Sequence, residues 1–181
     1  MISARDDIIG TSDYVSGRLR ERLTGLTDDE YAWEPVPNCR TVRPVGEGLF
    51  RSDGPRVDDD DPREFTTLSW RLAHIIDLLT AERIADWLGI QGIPTWPDIG
   101  APGTAADALE RFGLALRHWH SVLAATTEES LVVPLGPAAG PYAEATRRAF
   151  VLHILDELIH HGAEVAMMRD LYAATGGQAL R

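Results

Sequence analysis

Apolar residues recur at spacings of three and four along four segments of this 181-residue chain. Such spacing puts the apolar side chains on one face of a helix. The segments cover about residues 5–25, 66–89, 104–126 and 142–174, and strand-like alternation is nearly absent. The spacing is typical of helices that pack almost parallel or antiparallel to one another. The sequence therefore predicts an all-α fold, a four-helix bundle that forms a single domain over residues 1–181.

Helix-start signals support two of the predicted helical starts. Thr104 followed by Asp107 has the pattern of a capping box at the start of the third long helix. Thr27 followed by Glu30 has the same pattern, which predicts a short helical turn over residues 27–33.

A long connection, from about residue 27 to residue 65, separates the first two long helices. A connection of this length inside a compact domain is usually functional or partly disordered. It contains the acidic run VDDDD at residues 57–61. We interpret this run as a solvated tip rather than a calcium loop, because it lacks the spaced ligands and central glycine of an EF-hand.

Charge and cysteine usage restrict the cellular setting and the partners. The net charge of −11 argues against a large electropositive surface, so we expect no nucleic-acid partner. Cys39 is the only cysteine, which fits a reducing compartment. The N-terminus lacks the apolar run of a signal peptide, and no stretch approaches the roughly 20 apolar residues of a membrane span. We therefore expect a cytoplasmic protein with no membrane partner.

The stretch LDELIHHGAEVAMM, residues 155–168, places polar residues in the middle of the fourth helix. With a rotation of about 100° per residue, Glu157 and His161 fall near the centre of the apolar face. His160 falls at its edge and Asp156 is turned away. Glu164 is also directed inward, and the sequence assigns it no partner. We therefore predict that Glu157 and His161 point into the core.

The second helix has a similar anomaly, because His74 lies within its apolar stripe, between Trp70 and Leu78. A fold that buries this stripe would bring His74 to the same core as Glu157 and His161. One carboxylate and two imidazoles in an apolar interior need either a hydrogen-bonded network or a cation. Two histidines and one glutamate form a ligand set of open, catalytic zinc sites. The pattern alone leaves both interpretations open, the metal site and the structural network.

These residues resemble a known family. The motif WRLAHI on the second helix, the motif HILDELIHHGAEV on the fourth and the segment Trp33-Glu34-Pro35 are similar to the DinB/YfiT-like superfamily. The resemblance implies an up-down-down-up four-helix bundle, a homodimer and a divalent metal held by three side chains. Three histidines are the common set, and the glutamate here is similar to the His-Glu-His branch of the mycothiol-dependent maleylpyruvate isomerases. Carried over to this chain, the ligands are His74, Glu157 and His161.

The resemblance also implies a function. Members of the superfamily include transferases that depend on a low-molecular-weight thiol, and one isomerase. We therefore expect a divalent-metal-binding protein that acts as a mycothiol-dependent S-transferase or isomerase-like enzyme on a small-molecule electrophile. Zinc is the preferred metal, with nickel, manganese and iron as alternatives. Maleylpyruvate isomerisation itself is not expected, because that branch carries an additional C-terminal domain. The alternatives are a metal-dependent hydrolase and a non-catalytic, metal-stabilised binding or scaffold protein.

Further residues are candidates for the surroundings of the metal. Trp33, Trp70, Arg71 and His153 are expected around the pocket, and His153 is either an outer residue or a fourth ligand. Cys39 lies in the long connection, and we interpret it as an unreactive small residue.

Overall fold

The computed structural model describes residues 3–54 and 65–180. Its helices are α1 (Ala4–Arg22), α2 (Asp28–Tyr31), α3 (Leu68–Thr80), α4 (Arg83–Leu88), α5 (Ala105–Ala125), α6 (Glu128–Leu131) and α7 (Arg147–Thr175), with a 3-10 helix at Pro137–Tyr142. Two short strands are present, β1 (Val42–Gly46) and β2 (Leu49–Ser52). The predicted predominance of helix is confirmed. The acidic run at 57–61 lies outside the described residues, and within them no helix combines the length and hydropathy of a membrane span.

Four long helices enclose the core. Helix α3 packs against α5 and α7, and α1 packs against the same two helices. The apolar stripes predicted for α1, α5 and α7 are buried, among them Ile8, Val15, Leu19, Phe112, Trp119, Leu123, Phe150, Ile154, Leu158 and Val165. The stripe predicted for α3 around Trp70 and His74 is wrong, because that helix buries mainly Leu68, Leu72, Ala73, Ile75, Ile76 and Leu79. Helices α1 and α7 approach closely at Gly162, where an added Cβ would lie 3.2 Å from a methyl carbon of Leu19. The glycine in the middle of α7 is therefore explained by this close approach.

The second predicted helix, over about residues 66–89, is broken in the structure. Helix α3 ends at Thr80, and Ala81 leaves the helical region with ψ 126° before α4 begins at Arg83. The Thr80 hydroxyl donates to the carbonyl of Ile76 at 2.8 Å, a bond that often accompanies bending or termination of a helix. The break lets α4 place Trp87 against Phe150 of α7, with ring centroids 4.8 Å apart.

The β1–β2 hairpin was not predicted. Its strands pair antiparallel through a two-residue turn in which both Glu47 and Gly48 have positive φ, 52° and 74°. Most of β1 is exposed and it contains Pro44, so the alternation that indicates a half-buried strand is lacking. The hairpin leads into Asp53, whose carbonyl accepts a hydrogen bond from the indole of Trp70 on α3 at 2.9 Å.

The threonine caps form as predicted, but the carboxylates of both predicted capping boxes bind other partners, that of Asp107 the amide of Gly103 and the side chain of Arg111. The hydroxyls of Thr104 and Thr27 accept hydrogen bonds from the amides of Asp107 and Glu30, as expected. The carboxylate of Glu30, however, turns to Arg169 on α7 and accepts two hydrogen bonds at 2.6 and 3.0 Å. We call Glu30 and Arg169 the structural ion pair. It ties the short helix α2 to the C-terminal part of α7.

Candidate metal centre

Three donor groups from two helices meet near the middle of α7. His74 comes from α3, and Glu157 and His161 come from successive turns of α7. The Nε2 atom of His161 lies 3.2 Å from Oε2 of Glu157, and Nε2 of His74 lies 3.9 Å from the same oxygen. One donor atom of each residue lies within 4.8 Å of the other two. We call these three residues the open cluster, and the structure thus brings the predicted set together.

The open cluster has the spacing and the charge that a divalent cation requires. Nitrogen and oxygen ligands about 2.0–2.1 Å from a tetrahedral ion lie roughly 3.3 Å from one another. The separation between His161 and Glu157, 3.2 Å, is close to this value, whereas His74 lies 3.9 Å from Glu157 and would move toward it on binding a cation. Among the described residues no arginine lies within 4.0 Å of the Glu157 carboxylate, whose contacts are all to histidines. A bound cation would neutralise this negative charge.

The open cluster lies at the edge of the core rather than inside it. The side chain of His161 is 15% exposed, that of Glu157 30% and that of His74 36%. His74 is therefore only partly buried, and the prediction that the apolar stripe of the second helix buries it is wrong to that extent. Its sequence neighbours Ala73, Ile75 and other apolar residues of α3 fill the core instead. Half-exposure gives a small molecule access to the donor atoms.

Both imidazoles are held in the form that coordinates metals. Burial lowers the pKa of His74 below its ordinary value. Burial, with the neighbouring His74 ring as the next cause, lowers the pKa of His161 to about 4. Both rings are therefore neutral at pH 7, and each has a nitrogen lone pair available for a cation.

Glu164, for which the sequence predicted no partner, has three. It accepts a hydrogen bond from Nδ1 of His161 at 2.7 Å, forms an ion pair with Arg71 of α3 and lies 3.3 Å from His160. A proton held on Nδ1 leaves Nε2 of His161 unprotonated and directed to Glu157. Carboxylates that accept from the far nitrogen of a metal-binding histidine orient the ring and increase its basicity.

A second possible ligand group overlaps the first, since His160, His161 and Glu164 also have donor atoms within 4.8 Å of one another. The Arg71 guanidinium already neutralises Glu164, and Nδ1 of His161 is bonded to the same carboxylate. The side chain of His160 is 63% exposed. The open cluster is therefore the better cation site of the two.

An aromatic stack holds the ring of His74. Trp70 lies one turn earlier on α3 and stacks on the imidazole with a centroid distance of 5.2 Å and an interplanar angle of 13°. The guanidinium of Arg40 lies 4.7 Å from the centroid of the Trp70 ring. The stack restricts rotation of the imidazole, so His74 presents its Nε2 atom to Glu157. Trp70 is thus adjacent to the site, as expected.

The other candidates have different outcomes. Nδ1 of His153 lies 4.0 Å from Glu157, and this side chain is 56% exposed, so His153 borders the open cluster. Trp33 packs against Tyr172, which follows His161 by eleven residues, or about 16 Å along the helix. The expectation that Trp33 lies beside the pocket is therefore wrong.

Cys39 does not take part in the ligand groups formed by the described residues. Its side chain is fully buried, its thiol donates to the carbonyl of Val36 at 2.9 Å, and burial raises its pKa. The interpretation as an unreactive residue agrees with these contacts.

Sequence reasoning missed the partnership between Arg71 and Glu164, although a signal was present. Arg71 precedes His74 by three residues, and Glu164 follows His161 by three, so each pair shares one helix face. Two such pairs on facing helices indicate two adjacent polar layers, one with His74 and His161 and the next with Arg71 and Glu164. The contact of Arg40 with Trp70 had no such signal, because it depends on the path of the long connection.

One of the comparisons with known proteins identifies a family. No curated protein and no solved structure matches this chain significantly. The family model described as the DinB superfamily matches residues 13–165, a range that contains all of the open cluster. The chain therefore belongs to the DinB superfamily.

Proposed function

We propose that this protein binds a divalent metal, zinc in the first instance, through His74, Glu157 and His161, and acts as a thiol-dependent metalloenzyme. The observation that carries the proposal is the convergence of three donor atoms within 4.8 Å at a half-exposed edge of the core. Two neutral imidazoles and one carboxylate without a cationic partner among the described residues match the ligand chemistry of open zinc sites.

The side chains have distinct tasks in this proposal. His74, Glu157 and His161 would bind the metal, Glu164 would hold the proton on Nδ1 of His161, and Arg71 would neutralise Glu164. When bound, the cation supplies Lewis acidity, which lowers the pKa of a thiol or a water molecule nearby. The thiol is proposed to be mycothiol or a related low-molecular-weight thiol, and the co-substrate a small electrophile. Nucleic acids and membranes are not proposed as partners.

The proposed thiol chemistry rests on the glutamate in the ligand set and on access to the site. Glu157 stands where the common pattern has a histidine, which is similar to the mycothiol-dependent branch. The exposure of His74 and Glu157 gives a thiol access to the donor atoms. An up-down-down-up bundle and a homodimer accompany the proposal as expectations of the same resemblance, and a cytoplasmic location accompanies it as the expectation from the sequence composition.

Elemental analysis of purified protein tests the metal site. Wild type is expected to hold nearly one equivalent of metal, and His74→Ala, Glu157→Ala and His161→Ala are each expected to lose most of it. His120→Ala is the matched control, since this exposed histidine contacts Asp13 on the surface. Near-stoichiometric metal in all three ligand variants would overturn the assignment.

Turnover assays separate the functional classes. A panel of electrophiles, such as a maleate ester and an aryl halide, is incubated with mycothiol and zinc-loaded protein, with and without a chelator. Conjugation that requires both thiol and metal supports the proposal. Ester cleavage that requires metal but not thiol would identify a hydrolase instead. Metal-dependent stability without either reaction would indicate a binding or scaffold protein.

A further inference from the structure

A cleft of about 580 Å³ lies between α4 and the N-terminal part of α7. Its volume falls in the range of small-molecule sites. Trp87 and Phe150 form an aromatic wall, with ring centroids 4.8 Å apart. Leu135 and Ala149 also line the cleft, and the phenol of the exposed Tyr142 stands at its border. The cleft can therefore enclose a flat apolar group.

The charge of the cleft is unusual for this chain. The protein has 28 acidic residues and a net charge of −11, yet the described lining residues include no carboxylate. They do include Arg83, whose guanidinium lies 5.9 Å from the centroid of the Trp87 ring. No described carboxylate forms an ion pair with Arg83. An arginine beside an aromatic wall suits a ligand that combines an anionic group with an apolar body.

The cleft and the open cluster meet at His153. This residue lines the cleft, and its Nδ1 atom lies 4.0 Å from Oε1 of Glu157. A ligand in the cleft can therefore extend along α7 toward the metal ligands. Arg83 lies on α4, the separate helix that exists only because α3 ends at Thr80.

We propose that the cleft between α4 and α7 binds the organic substrate of the metal centre, and that this substrate is a carboxylate with an aromatic or branched apolar body. Arg83 binds the carboxylate, Trp87 and Phe150 pack on the body, and His153 faces the end that approaches Glu157. That this substrate reacts at a metal rests on the proposed function, whereas the binding of organic carboxylates rests on the cleft alone.

Isothermal titration calorimetry tests this proposal, with 1-naphthylacetate as the probe and its neutral amide, 1-naphthylacetamide, as the comparison. Zinc-loaded wild type is expected to bind the acid more tightly than the amide. Arg83→Gln is expected to lower the affinity for the acid by about tenfold, as for loss of one charge-assisted hydrogen bond. The affinity for the amide is expected to stay unchanged. Arg148→Gln, a change at an exposed arginine of α7, is the control for net charge.

Ala149→Leu fills the cleft from the exposed side of α7 and is expected to abolish binding of both probes while zinc content stays at the wild-type level. Equal affinities for acid and amide, or equal effects of Arg83→Gln and Arg148→Gln, would overturn the proposal. If the acid bound only to the zinc ion, its affinity would not change in Arg83→Gln or Ala149→Leu. That result would also overturn the proposal. Repeating the titrations after chelator treatment shows whether the cleft binds the acid when the metal assignment itself fails.

Discussion

Helix α7 takes part in two polar clusters that differ in how completely their partners satisfy them. In the structural ion pair, Arg169 donates to both oxygens of Glu30 and to the carbonyls of Arg22 and Thr24. Glu30 is only 6% exposed, yet its charge is fully compensated. Here the fold itself supplies every partner that the buried charges need, so the cluster is complete without a ligand.

The open cluster has the opposite balance. Its donor atoms lie 3.2 and 3.9 Å from a carboxylate that has no arginine among the described residues, and its two imidazoles are neutral. Arg71, which lies on α3 like His74, forms its ion pair with Glu164 instead. Polar clusters at or near the core of this fold therefore differ in what they indicate. A satisfied cluster indicates stability, and a converging but unsatisfied one indicates a binding site.

The largest expected effect lies in the structural ion pair. Arg169→Met leaves the buried Glu30 carboxylate without its cation, and we expect the free energy of unfolding to fall by about 3–5 kcal/mol. Urea denaturation measures the loss. Metal content per folded molecule is expected to stay at the wild-type level, because Arg169 lies about two turns beyond His161 on α7.

The double variant Glu30→Leu/Arg169→Met sharpens that result. Replacement of both charges by apolar groups removes the uncompensated carboxylate, so much of the lost stability should return. Arg148→Met, at an exposed position, serves as the control and should change stability by less than about 0.5 kcal/mol. A loss below about 1 kcal/mol in Arg169→Met would contradict the description of this pair as structural.

Zinc is expected to stabilise the open cluster. At a free zinc concentration 100 times the dissociation constant, the unfolding free energy of wild type should rise by about 2.7 kcal/mol over the chelator-treated protein. The increment should vanish in His161→Ala and persist in Arg148→Met. Denaturation curves with and without zinc provide the measurement, and an equal increment in His161→Ala would show that zinc binds elsewhere.

Glu164 should increase the zinc affinity of the open cluster by orienting His161. Glu164→Gln removes the carboxylate that holds the proton on Nδ1 and leaves Arg71 unneutralised, so zinc affinity should fall by about 10- to 100-fold. Competition with a coloured chelator measures the dissociation constant. His160→Ala removes only an exposed contact of the same carboxylate and should have little effect. Equal losses in the two variants would refute a specific role for Glu164.

The smallest expected effect is a pH dependence of the metal-free protein. The folded-state pKa of His161, about 4, lies below the ordinary value of about 6.5, so the folded protein binds fewer protons than the unfolded chain between these values. Stability is therefore complete above pH 6.5 and decreases as the pH falls toward 4. We expect a loss of about 1 kcal/mol between pH 6.5 and 5.5, relative to His161→Asn. Unfolding free energies that change with pH in parallel in wild type and His161→Asn would contradict the lowered pKa of His161.

Much of the fold and of the candidate site is readable in the sequence. The helical face shared by Glu157 and His161 follows from the rotation of about 100° per residue, and the DinB superfamily resemblance is confirmed by the family match. The prediction of one helix over 66–89 is wrong, because termination at Thr80 depends on local hydrogen bonding that apolar spacing does not report. Glu30 shows the same limit, since its pattern predicts a cap and its carboxylate binds Arg169 instead.

The sequence by itself determined that the chain forms long helical segments, that Thr27 and Thr104 cap helices, and that Glu157 and His161 share one face of α7, because these features depend on periodicity and residue type within single helices. Only the tertiary structure decided that the open cluster lies half-exposed at the edge of the core, that Arg71 neutralises Glu164, and that α4 opens a cleft beside His153. These features arise from contacts between residues distant in the chain. Which helix faces which, and at what register, is decided when the whole core packs, and no local pattern contains that information.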